Sequence, residues 1–150
     1  MPIRNTTGFR VPALSALTLA FSSFGDAFLY PYLPVQGGNF GIPLMWVGIL
    51  LSINRFIRIF ANTHIVNLFS RYGLRTITIL AAAIAILSTL GYGFAFGIAS
   101  WLILRILWGL SFSALRTSAI AYALQHPRQG LSLGVSKSLQ ESGPVIALFL

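Results

Sequence analysis

Five apolar runs follow one another along the chain, separated by short polar or Pro/Gly-rich breaks. A helix that crosses the hydrocarbon core of a bilayer needs about 20 apolar residues. The runs therefore predict helices at 11–33, 43–69, 76–96, 101–124 and 131–150. The first ends in Tyr30-Pro31-Tyr32-Leu33-Pro34. Residues 76–104 carry no charge and are too many for one span; Gly97-Ile98-Ala99-Ser100 is the place to turn. His126-Pro127-Arg128-Gln129-Gly130 makes the next break, and the fifth run reaches Leu150 with no stop signal. The expected organisation is a tail over 1–10 and a bundle over 11–150, read as the N-terminal portion of a longer protein.

Polar residues inside these runs recur at helical spacing, which places them on shared faces. Ser15, Thr18, Ser22, Asp26 and Tyr30 form one stripe on helix one, and Asn54, Arg58 and Asn62 form another on helix two, with Arg55 beside it. In helix four Arg105, Gly109, Phe112 and Arg116 align, because eleven residues make almost three whole turns. Helix five sets Ser132, Ser136, Gln140 and Gly143 on one line and Lys137 with Glu141 on the next. Helix three has little that is polar beyond Ser88 and Thr89. Helices one, two, four and five are thus expected to face a shared polar interior, and helix three to face lipid.

Composition points to the same solvent. Hydrophobic residues make up 56% of the chain and charged residues 8%, against about 25% charged in a soluble domain. Twelve charged side chains cannot cover the surface that a soluble domain of this size exposes. The fold class expected is an all-α polytopic membrane protein. There is no cysteine, no phosphate loop, no zinc-spaced His pair and no catalytic triad arrangement. Enzyme chemistry, a metal and a cofactor are not expected. His64 and His126 are lone histidines near the membrane boundary, and Trp46 and Trp101 fit an interfacial aromatic belt.

The net charge of +8 does not form a nucleic-acid patch. Arg4, Arg10, Arg71, Arg75 and Arg128 flank the apolar runs, whereas Arg55, Arg58, Arg105, Arg116 and Lys137 lie within them. The flanking set falls on alternate connections, which orients the bundle with a cytoplasmic N-terminus. The internal set, with Asp26 and Glu141, puts seven charged groups where each costs about 3 kcal/mol unless it meets a partner or water. Asp26 and Arg105 come to levels within a few ångströms of each other at about 1.5 Å of rise per residue, so an Asp26–Arg105 pair is expected.

The segment Val66-Asn67-Leu68-Phe69-Ser70-Arg71-Tyr72-Gly73-Leu74-Arg75 resembles the helix two–three signature Gly-x-Leu-x-Asp-Arg-x-Gly-Arg-Arg of the major facilitator superfamily (MFS). Leu68, Arg71, Gly73 and Arg75 fit; Val66 replaces the first Gly, and Ser70 replaces the acid that latches helix ends in that family. Arg105-Ile106-Leu107-Trp108-Gly109 is similar to the family's Arg-x-x-Gln-Gly, with Trp108 for Gln. Arg128-Gln129-Gly130 resembles the entry to helix five. Gly143-Pro144 resembles the core of the helix-five antiporter signature, although the glycines expected after it are Ala147 and Leu148.

The resemblance implies helices one to four and most of five of a twelve-helix transporter, in which the C-terminal helices of the same protein complete the fold and a small solute binds near the midplane. It also implies an integral, multi-pass protein of the plasma (bacterial inner) membrane. Secondary transport by alternating access, driven by protons, is the function expected. Asp26 is the first candidate for the titrating group and Glu141 the second, with Arg105 as modulator. Arg55, Arg58 and Arg116 would favour an anionic group on the solute. A sensor or assembly protein on the same scaffold, or a channel-like oligomer, fits less well: a channel pore would not trap salt bridges.

Overall fold

A computed structural model describes residues 10–147 and 149; Arg4 and most of the expected tail lie outside them. The described chain is an all-α bundle: α1 (Arg10–Gln36), α2 (Leu44–Tyr72), α3 (Leu74–Gly91), α4 (Ile98–Leu124) and α5 (Gln129–Ala147). A short 3-10 turn, Gly37–Phe40, leads from α1 to α2. Four helical segments, those of α1 to α4, are long and apolar enough to cross a membrane. Phe21, Ile59, Phe60, Leu87 and Phe94 are among many large apolar side chains left exposed. Water would not tolerate so much exposed apolar surface on a bundle of this size, and lipid does. This is a polytopic membrane protein.

The helix ends depart from expectation in ways that have local causes. α1 does not stop at Leu33; it runs through Pro31 and on through Pro34 to Gln36. Each proline removes one backbone donor, and such losses are tolerated in membrane helices where neighbours pack around the bend. α3 stops at Gly91, five residues early, and the turn falls over 92–97. Gly91 and Gly93 weaken the helix there, while Gly97, at φ 80°, opens α4, so Ile98, Ala99 and Ser100 are helical.

Helix α4 is the hub and packs against all four other helices. Its contact surfaces are built from small residues, Gly109, Ser111, Ser113, Ala114, Ser118, Ala119 and Ala123, which let membrane helices approach closely. A Cβ on Gly109 would lie 3.2 Å from the Asn54 carbonyl oxygen of α2. Contact between α1 and α5 is closer still, since a Cβ on Gly143 would run into the Ala20 carbonyl oxygen. α3 is peripheral: Ile77, Ala81, Ala85 and Ser88 face inward, and Ile79, Leu80, Ile86, Leu87 and Leu90 are exposed. Its polar link to α4 is one the pattern did not foresee, from Thr78 Oγ1 to Ser118 Oγ at 2.8 Å.

The connections alternate between the two ends of the bundle. At one end Gly97 N–H donates to the Phe40 carbonyl at 2.8 Å, tying the α3–α4 and α1–α2 connections together. Trp101 is buried there, stacked on Tyr92 with centroids 4.9 Å apart and edge-on to Phe40. Its indole N–H donates to the Ala95 carbonyl at 3.3 Å, so it is a core side chain and not part of an interfacial belt. At the other end Gly73, at φ 85°, makes the reversal between α2 and α3.

Two apolar clusters fill the bundle. One holds Leu19, Ala61, Ile65, Ile77, Ala81, Ala85, Ala114 and Leu115. The other holds Leu29, Leu33, Ile42, Val47, Leu50, Tyr92, Ala95 and Trp101. Along α1, α2 and α4 the residues between the clusters are Asp26, Asn54 with Arg58, and Arg105 with Trp108. A polar layer therefore crosses the bundle between two dry ones.

Candidate functional site

The polar layer is organised around Asp26. Arg105 is fully buried, and its Nη1 donates to Asp26 Oδ1. Asn54, also fully buried, donates from Nδ2 to both Asp26 oxygens at 3.4 and 3.5 Å. Asn54 Oδ1 in turn accepts from Arg58 Nε at 2.8 Å, which brings Arg58 Nη2 to 3.8 Å from Asp26 Oδ2. The expected Asp26–Arg105 pair is thus present, within a four-residue network that joins α1, α2 and α4. Low dielectric strengthens every link in such a network and makes each loss costly.

Beside this network lies an open cavity of about 340 Å³. Six of the seven charged groups found within the apolar runs line it: Asp26, Arg55, Arg58, Arg116, Lys137 and Glu141. Arg105, the seventh, does not line it; it is fully buried and paired with Asp26. Four helices contribute, α1, α2, α4 and α5, and α3 contributes nothing to the lining. Arg58 does not snorkel away. Its guanidinium carbon lies 3.8 Å from the centre of the Phe112 ring, and Phe112 stacks on Trp108 with centroids 5.1 Å apart. Arg55 sits 5.7 Å from the Tyr30 ring centre. Lys137 Nζ and Glu141 Oε1 are 2.5 Å apart, one turn along α5, with more than half of each side chain exposed.

Two of the expected polar stripes face this cavity only in part. On α1 the lining residues are Leu19, Ser23, Asp26, Ala27 and Tyr30. Thr18 and Ser22 instead line a groove against α3, with Ala82, Ala85 and Thr89, and their hydroxyls donate back to the Leu14 and Thr18 carbonyls. A four-residue step turns the helix by about 40° beyond a full turn, so a stripe built of such steps drifts off the cavity. On α5 the line through Gly143 turns to α1, and Ser132, three turns earlier on the same face, is buried with it. Gln140 borders the cavity.

The motif residues take up structural positions. Gly109 and Gly143 are the close-approach points described above, and Pro144 borders the cavity. Arg71 lies over the Tyr72 ring at 5.4 Å, and neither Arg71 nor Arg75 has an acidic partner among the described residues. Ser70, in the acid's place, bonds its own helix at the Asn67 carbonyl. Trp108 was legible only as a departure from a signature, and the structure shows its packing role under Arg58. Asn54 stood on a polar stripe, but nothing in the sequence marked it as the bridge between Asp26 and Arg58; its position four residues before an intramembrane Arg was the available signal. No family model, curated protein or solved structure matches this chain.

Proposed function

We propose that the chain forms the solute-binding portion of a secondary transporter of the MFS type, working by alternating access with its N-terminus in the cytoplasm. The observation that carries this reading is the convergence of six charged side chains from four helices on one open cavity at the level of the polar layer. Charged residues at that depth are expensive to insert and mark a solute or ion path. The orientation rests on the cations at the tail, at Arg71 and Arg75, and at Arg128. Coupling to protons uses the two carboxylates. Asp26 is tied to Arg105, Asn54 and Arg58, whereas Glu141 has a single partner, Lys137, and stands open to the cavity. Glu141 is therefore the carboxylate that exchanges a proton with the cavity, and Asp26 holds the network that positions the arginines.

Proteoliposomes of the full-length protein that holds this portion, loaded with a pH-sensitive dye, test the coupling. Adding a panel of sugars, amino acids and organic acids outside acidifies the lumen for a transported solute, and Glu141→Gln lowers that signal at least tenfold. Solute-driven proton entry that persists in Glu141→Gln contradicts the role given to Glu141, and entry that persists in Asp26→Asn as well contradicts the coupling.

A further inference from the structure

We infer that the solute is a small organic dianion, held by Arg58 and Arg116 with Lys137 nearby, and that Asp26 keeps Arg105 out of the binding event. The inference rests on the transporter reading for its biological meaning. Four cations and two carboxylates line the cavity, and one of those carboxylates is already spent on the buried Arg105. The lining alone has two positive charges in excess, and three once Asp26 is counted with Arg105; Arg55 and Arg116 have no acidic partner among the described residues. Uncompensated arginines at this depth are costly. A dianion that enters the cavity offsets two of these charges.

Arg58 has the geometry of a receptor prepared in advance. Asn54 fixes its Nε, and the Phe112–Trp108 stack supports its face. Its contact with Asp26, at 3.8 Å, is too long for a hydrogen bond. The outer Nη1–Nη2 edge makes no hydrogen bond within the described residues, and that edge matches the two oxygens of a carboxylate or phosphate. A second cavity of about 320 Å³ shares Arg58, Phe112 and Arg116 with the first and continues along Asn62, Ser113 and Thr117. A third, of about 280 Å³, meets them at Arg116 and Lys137. Arg116, which is exposed, is the junction of all three, so an anion approaching along α4 meets Arg116 and then Arg58.

Titration of the full chain in nanodiscs at constant ionic strength tests this, read by tryptophan fluorescence because Trp108 lies under Arg58. Succinate, succinamate, succinamide and 1,4-diaminobutane form a series of similar size and falling negative charge, with inorganic phosphate as a second source of two anionic oxygens. Succinate or phosphate binds, affinity drops at least tenfold from succinate to succinamate and again to succinamide, and the diamine does not bind. Arg116→Gln, at an exposed position, and Arg58→Lys, which keeps the charge and loses the fork, each weaken succinate at least tenfold; Arg71→Gln does not. Succinamide binding as tightly as succinate overturns the inference, as does binding unaffected by both cavity variants, or no binding by any anion. A flux assay on the same samples separates the two claims. Charge-selective binding without passage supports the anion site and removes transport, and passage without charge preference does the reverse.

Discussion

Asp26→Leu lowers the stability of the bundle by about 3–5 kcal/mol, and the double variant Asp26→Leu/Arg105→Met recovers most of that loss. The single change strands Arg105, which is fully buried, as an uncompensated charge; breaking one side of a buried pair typically costs about this much, whereas replacing both sides with apolar groups is often neutral. Asn54 would also lose the acceptor for its amide, which adds an unsatisfied buried donor. Reversible unfolding of the full chain in mixed detergent micelles measures the cycle, and strong non-additivity is its signature. A double variant as unstable as the sum of its singles would show that Asp26 and Arg105 do not hold each other.

Gly143→Val gives the second large effect, about 3 kcal/mol or a bundle in which α5 no longer docks. The cause is steric and local. The Cβ position at 143 lies inside the van der Waals envelope of the Ala20 carbonyl, and backbone cannot move aside as a flexible side chain can. α5 rests chiefly on α1, and with less apolar character than α1 to α4 it depends on that seam. Limited proteolysis of the 125–129 connection reads the outcome directly: cleavage in Gly143→Val speeds up well over tenfold relative to the parent chain at equal detergent. Equal cleavage of the Val variant and the parent chain would mean that α1 and α5 are not in such close contact.

How far the sequence reached depended on what each residue had to do. Apolar run length and charge placement were enough for five helices in order, because the bilayer sets one length scale for every span. Depth arithmetic from the helix ends brought Asp26 and Arg105 to one level, because rise per residue is constant along a helix. Angles carried less far. Thr18 and Ser22 look as polar as Ser23, yet they bond their own backbone carbonyls and turn to α3; a hydroxyl in a membrane helix satisfies itself equally well on any face. Ser132 was indistinguishable from a cavity residue for the same reason, and its burial is a tertiary fact. Pro34 read as a stop because proline is one in water, and Trp101 read as an interfacial anchor because its hydrogen-bond partner, the Ala95 carbonyl, lies in a loop that periodicity does not place.

These corrections narrow the site without moving it. The charged residues singled out from the apolar runs all line one cavity or, for Arg105, pair with a residue that does, while the hydroxyl stripes turn out to be partly seams between helices. The distinction is physical: a serine can close its own hydrogen bond locally, but an arginine in lipid has to find water or a counter-ion, so charge reports the cavity more faithfully than polarity does.

The central claim is that this cavity opens alternately to the two sides of the membrane. The chain has no cysteine, so a single Ala27→Cys variant places a thiol on the cavity wall with no background to remove. Its reaction with a membrane-impermeant thiosulfonate, applied separately to each face of sealed vesicles, reads access of water and reagent, because the thiolate is the reactive form and does not persist in lipid. Reaction from both faces, slowed from one face when solute is added, is the predicted result; labelling from a single face under every condition, or labelling no faster than that of an Ile86→Cys variant outside the cavity, would contradict it.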